Sequence, residues 1–115
     1  MKNNFFSSIK NKKLITQVVH SKNIVQNNIC VIKYLKNNEN KLNYIISTPK
    51  KYFKLAVTRN KIKRQVRSII FEHKANNNMN IIIIIRDTYL NNTFNVNKAL
   101  ISELLNRIEN NLWHM

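Results

Sequence analysis

"LAVTRNKIKRQVRSIIFEH", residues 55–73, sets an apolar row and a dense run of positive charge on one short segment. At about 100° per residue, Leu55, Ile62, Val66, Ile69 and Ile70 fall in one sector of a helix. Asn60, Lys63, Arg64, Arg67 and Lys74 fall in the opposite sector, Lys61 lies to one side, and Arg59 sits at the edge of the apolar stripe. The stripe needs a flat apolar partner, and the following segment supplies one. "MNIIIIIRD", residues 79–87, is a five-isoleucine run with polar flanks, the pattern of a strand buried on both faces and expected at the centre of a sheet.

Upstream, "ICVIKYLK" (29–36) and "KLNYIIS" (41–47) are β-branched and aromatic, with "NNEN" between them as turn chemistry, which reads as a hairpin. Residues 9–20 carry Leu14, Ile15, Val18 and Val19 at spacings that suit a short amphipathic helix. Residues 95–111 place Val96, Leu100, Ile101, Leu104, Leu105 and Ile108 on one stripe, with Asn95 as N-cap and Glu103 four residues before Arg107. Residues 74–80 read as a loop, and residues 1–8 and 112–115 as tails, with Trp113 free or packed on the body. There is no repeat and no linker, so residues 1–115 form a single domain with one modest core.

Twenty Lys and Arg against five acids give a formal charge of +15, a self-repulsion that a polyanion would offset. Nucleic acid is the leading partner and an anionic membrane the lesser one. A membrane span is not in view, because the longest purely aliphatic run is residues 81–85 and "MKNNFFSSIK" lacks the apolar stretch of a signal peptide. Cys30 is the only cysteine, which rules out an internal disulfide and fits a cytoplasmic setting. Glycine is absent and Pro49 is the only proline, so turns must use Asn and Asp.

Ordinary solvated helix faces mix the two signs of charge, whereas Glu72 is the only acid between Glu39 and Asp87. The cluster in residues 59–67 therefore favours a polyanion site. Protein-borne nuclease chemistry needs converging carboxylates or a His pair. Asp87, Glu39, Glu72, Glu103 and Glu109 show no such spacing, and His20, His73 and His114 are far apart. No catalytic residue and no metal ligand set is expected. Cys30 reads as a small buried hydrophobe. Phe5, Phe6, Tyr34, Tyr44 and Phe71 could stack on unpaired bases, with core packing the simpler role for Tyr44.

"AVTRNKIKRQVR", residues 56–67, resembles the signature A-V-x-R-N-[RK]-[IV]-K-R-x-[IV]-R of the bacterial ribonuclease P protein subunit. The resemblance runs from about residue 10 to 110, and "ISTPKKYFKLAV" (46–57) is similar to a family variant just upstream of the signature. It implies an α+β fold, a small sandwich in the order helix, strands, helix, strand, helix, with a parallel strand pair joined by a left-handed crossover through the signature helix, against the usual right-handed rule. It also implies a ribonucleoprotein endonuclease that removes the 5′ leader of precursor tRNA. In it the RNA subunit carries the hydrolysis with bound magnesium, and one protein per RNA assists. Arg59, Asn60, Lys61, Lys63, Arg64 and Arg67 match the RNA-binding signature, and Lys50 with Lys51 match the basic pair before it. A cleft between the first helix and the sheet would take the leader. Leu14 or Ile15 stands there in place of the usual Phe, and Tyr34 stands on the strand that would floor it. The chain departs from the pattern at Ser68, where Glu is common, and at Phe71, where Arg is common, so the RNA footprint would end earlier. A small ribosomal-type or RNA-chaperone protein would share the charge without needing this register, and a DNA-binding regulator would want a helix-turn-helix.

Overall fold

The computed structural model describes residues 6–8, 11–39, 41–73 and 78–113. The elements follow in the order β1 (Phe6–Ser8), α1 (Lys12–Val19), β2 (Ile24–Gln26), β3 (Cys30–Lys36), β4 (Leu42–Ser47), α2 (Ala56–His73), β5 (Met79–Ile85), a 3-10 turn (Asp87–Asn91) and α3 (Phe94–Trp113). The five strands form one mixed sheet in the order β1-β4-β5-β3-β2. As its isoleucine run requires, β5 is central, antiparallel to β3 and parallel to β4. The parallel pair β4–β5 is joined through α2, as the family resemblance implies.

The hairpin expected between β3 and β4 does not form, because β5 inserts between them. Two β-branched runs flanking an Asn-rich turn carry the same local signal whether they pair directly or through a third strand. The hairpin that does form joins β2 to β3. Its turn replaces glycine with an asparagine: Asn27 Oδ1 accepts from the backbone N–H groups of Ile29 and Cys30 at 3.0 and 3.1 Å. Residues 6–8, expected in a tail, pair in parallel with β4. Residues 112–113 continue α3. Residues 1–5, 114–115, most of the 74–80 loop and the packing of the Trp113 ring lie outside what is described.

Alternation along the strands divides the sheet into two unlike faces. Register places Cys30, Ile32 and Tyr34 on the same face as Ile85, Ile83 and Ile81, and these beside Leu42, Tyr44 and Ile46. This face carries the main core, closed by Ile62, Val66, Ile69 and Ile70 of α2 and Ile101, Leu104, Leu105 and Ile108 of α3. Each such side chain contributes roughly 1.5–3 kcal/mol through burial. The helical phase of residues 62–70 is as the sequence predicts, but Leu55 precedes α2 and is 69% exposed. Phe53 is buried in its place. Val96, expected on the buried stripe of α3, is also exposed, because Phe94 and Asn97 take the inward positions of the first turn. The cap of α3 is Thr93 instead of Asn95, since its hydroxyl accepts from the Val96 N–H at 3.3 Å.

The opposite face carries Asn43, Ile45 and Ser47, Asn80, Ile82 and Ile84, and Val31, Lys33 and Leu35. Among the described residues it is covered only in part, by α1. Asn11 caps that helix by accepting from the Lys13 and Leu14 N–H groups. Val18 of α1 and Ile82 of β5 are buried yet stand outside the main core, and Lys33 Nζ donates to the Val19 carbonyl at 3.2 Å. Asn43 Nδ2 and Asn37 Nδ2 both donate to Asn80 Oδ1 at 2.8 Å, which satisfies the buried Asn80 carbonyl beside the β4–β5 register pair Asn43↔Asn80.

Candidate nucleic-acid interface

The basic signature occupies the first three turns of α2. Burying Ile62, Val66, Ile69 and Ile70 against the sheet and α3 leaves the other side of the helix to solvent. Asn60, Lys61, Arg64 and Arg67 are exposed there and Lys63 is half-buried at the margin. Among the described residues Lys61, Lys63, Arg64 and Arg67 make no ion pair. The acids are engaged elsewhere: Glu72 with Lys98, Glu103 with Arg107, and Glu109 beside His73. A row of fixed, unneutralised cations on a rigid helix is an anion-binding surface.

Arg59 takes a different part. Its Nη1 donates to the carbonyls of Phe53 and Lys54 at 2.8 and 3.0 Å, so it clips the preceding loop onto the first turn of α2. The loop is further closed by the Pro49 carbonyl, which accepts from the Tyr52 and Phe53 N–H groups, and is anchored by the buried Phe53 ring. This fixes Lys50 and Lys51, both exposed, at the same end of α2 as the signature. Lys51 Nζ lies 4.9 Å from the centre of the Tyr52 ring.

The half-covered sheet face is the second candidate surface. Leu14 and Ile15 of α1 are half-buried on either side of Val18, next to the partly exposed Val31, Lys33, Ile45 and Ile84. Tyr34, expected on the floor of this groove, lies on the other face. It is buried in the main core, and its hydroxyl accepts from Asn111 Nδ2 of α3 at 3.0 Å. The sequence pattern reveals the strand but not the parity of its side chains, since a strand with buried residues on one face and half-buried ones on the other alternates too weakly to orient. Lys33, overlooked in the sequence, holds the groove position. Of the other aromatics, Tyr44 packs in the core with its ring edge-on to Phe71 at 6.1 Å, while Phe71 is 40% exposed. Phe5 lies outside the described residues.

Cys30 is fully buried, and burial pushes its thiol up to about 12 against the opposing influence of Arg86. Among the described residues no group of three or more His, Cys, Asp or Glu converges, and no helix is long and apolar enough to cross a membrane.

The sequence profile of the Ribonuclease P family matches residues 5–109. The ribonuclease P protein component of Mycoplasma genitalium is 35% identical over 104 residues, covering 89% of this chain and 80% of that protein. That of Mesoplasma florum is 34% identical over 108 residues, covering 86% and 97%. Among solved structures, the ribonuclease P protein of Thermotoga maritima superposes with a TM-score of 0.79 at 24% identity, over 89% of this chain and 97% of that one. The Staphylococcus aureus ribonuclease P protein gives 0.74 at 27% identity, over 89% and 94%.

Proposed function

Because this chain belongs to the ribonuclease P protein family and is the protein component of a ribonucleoprotein endonuclease in tRNA 5′ processing, we propose a division of labour between its two surfaces. The exposed side of α2, with Asn60, Lys61, Lys63, Arg64 and Arg67, holds the RNA subunit through its phosphates. The observation that carries this is the run of cations on one face of α2 with no acidic partner among the described residues. Lys50 and Lys51, fixed beside that face by the Arg59 clip, extend the same contact. The groove between α1 and the sheet takes the single-stranded 5′ leader of precursor tRNA. Its mix of half-buried aliphatic side chains and the Lys33 ammonium suits a strand with apolar base faces and an anionic backbone.

Magnesium belongs with the RNA in this reading. Among the described residues Glu72 and Glu103 are engaged with cations and Glu39 with an amide, and no three carboxylate, His or Cys groups converge, a donor set that does not fit a magnesium site. The protein therefore binds and orients, and the RNA hydrolyses. One protein per RNA, in the cytoplasm, completes the proposal.

The test is reconstitution with a bacterial ribonuclease P RNA at low magnesium, following cleavage of a precursor tRNA. Addition of the protein should restore cleavage that the RNA alone performs poorly, and the protein alone should cleave nothing. Cleavage by RNA-free protein, or no rescue of the RNA, would overturn the assignment.

A further inference from the structure

A pocket of about 320 Å³ lies between the first half of α2 and the junction where the 3-10 turn enters α3. Its floor is Tyr89, 2% exposed, whose hydroxyl donates to Gln65 Oε1 at 2.9 Å. Asn97, also buried, donates from Nδ2 to the Tyr89 carbonyl at 2.9 Å and accepts from Asn92 Nδ2 at 3.0 Å. These bonds consume both ends of the Asn97 amide and one end each of Gln65 and Asn92. Gln65 Nε2 and Asn92 Oδ1 are left without a partner among the described residues, a donor and an acceptor at one pocket. Phe94 is half-buried in the wall, and Leu90, 56% exposed, forms an apolar rim.

Lys61 connects this pocket to the basic face of α2. It lines the pocket and precedes Arg64 by three residues, which makes the two neighbours on the helix surface. A nucleic-acid backbone with phosphates on Arg64 and Lys61 would bring a base to the pocket mouth. A bare phosphate would use donors alone, and a purely apolar ligand would leave both amide ends desolvated and unmatched. A nucleobase edge offers a donor beside an acceptor, and its faces are aromatic.

We propose that this pocket receives one unpaired nucleobase of the RNA subunit held on α2. The inference rests on the RNA-binding reading of α2. It assigns the base to the RNA subunit and not to the leader, because the pocket is built from α2 and α3 while the leader groove lies across the sheet, beneath α1.

The experiment measures affinity of the full chain for a bacterial ribonuclease P RNA, without precursor tRNA, over a range of salt. Asn92→Ala removes the free acceptor, and Leu90→Trp obstructs the mouth from an exposed position. Both should weaken binding on the order of tenfold while keeping the wild-type salt slope, since a base contact releases no counterion. Lys61→Ala should instead flatten the slope by roughly 0.7–0.9. Wild-type affinity in both Asn92→Ala and Leu90→Trp, with the steep salt dependence retained, would overturn the pocket and leave the α2 interface standing. Failure of the wild-type chain to bind the RNA would overturn both. Losses seen only when a leader-bearing precursor is present would overturn the assignment to the RNA subunit. Thermal melting accompanies each variant, and if Asn92→Ala is unfolded, Leu90→Trp alone decides.

Discussion

His73 sits in the last turn of α2 with Nε2 3.8 Å from a Glu109 carboxylate oxygen, too far for a hydrogen bond, and Nε2 is buried without a partner. Burial lowers its pKa below 6.5, and Glu109 offsets this only in part. The unfolded chain then binds the His73 proton at a higher pH than the folded chain does. Stability should therefore fall as pH drops through 6.5 toward the lowered folded value, and be insensitive to this group well above 6.5. Thermal melts between pH 5 and pH 8, on the order of a few steps apart, should show that slope in the wild type and a flatter one in His73→Gln. Arg59 invites a second test, because its guanidinium holds two backbone carbonyls of the loop before α2. Arg59→Ala should cost about 1–2 kcal/mol, the half-exposed site tempering what two charged hydrogen bonds can supply. Arg59→Lys should retain the salt dependence of RNA binding but not the stability, since an ammonium lacks the fork that spans both carbonyls. If melting is unchanged in both variants, the clip is not a structural contact.

The two sides of α2 should yield separable phenotypes. Arg64→Ala and Arg67→Ala act on exposed side chains with no partner among the described residues, so they should weaken RNA binding while shifting stability by no more than about 0.5 kcal/mol. Ile62→Ala, at a side chain 1% exposed, should cost roughly 2–5 kcal/mol through lost burial and a cavity, with binding lost only as the fold is lost. Paired melting and RNA-titration curves check this, and an unfolded Arg64→Ala or an undisturbed Ile62→Ala would refute the helical phase. That phase was legible in the sequence because Ile62, Val66, Ile69 and Ile70 recur at helical spacing within α2, and β5 was legible because an uninterrupted apolar run admits one place in a sheet. What local patterns could not convey was pairing across the sequence. β3 and β4 flank an Asn-rich turn as hairpin strands do, and only the arrival of β5 between them decides otherwise. The three-residue strands β1 and β2 are too short to show a period at all. At the candidate interface the charged signature stood out, whereas Tyr34 was expected on the wrong face and Lys33 gave no signal, because face assignment follows from where α1 and α3 pack.

A formal charge of +15 on 115 residues makes salt the sharpest probe of the whole molecule. The logarithm of RNA affinity should fall linearly with the logarithm of salt concentration, by roughly 0.7–0.9 for each phosphate neutralised. Titrations at several ionic strengths measure this, and a flat response would mean that the basic face of α2 is not in contact. The position of β5 has a consequence of another kind, for the order in which the protein can assemble on the ribosome. Both inner neighbours of β5 precede it in the chain, β3 antiparallel and β4 parallel to it, and neither pairs with the other. A nascent chain that has released residues up to His73 holds the β2–β3 hairpin, the β1–β4 pair and an amphipathic α2, with no strand to join the two pairs. Until Met79–Ile85 leaves the exit tunnel, β3 and β4 each present an open hydrogen-bonding edge, the condition under which chains pair wrongly or with one another. Seven residues late in translation thus join two separate strand pairs into one sheet, and α3, which follows β5, seals the core.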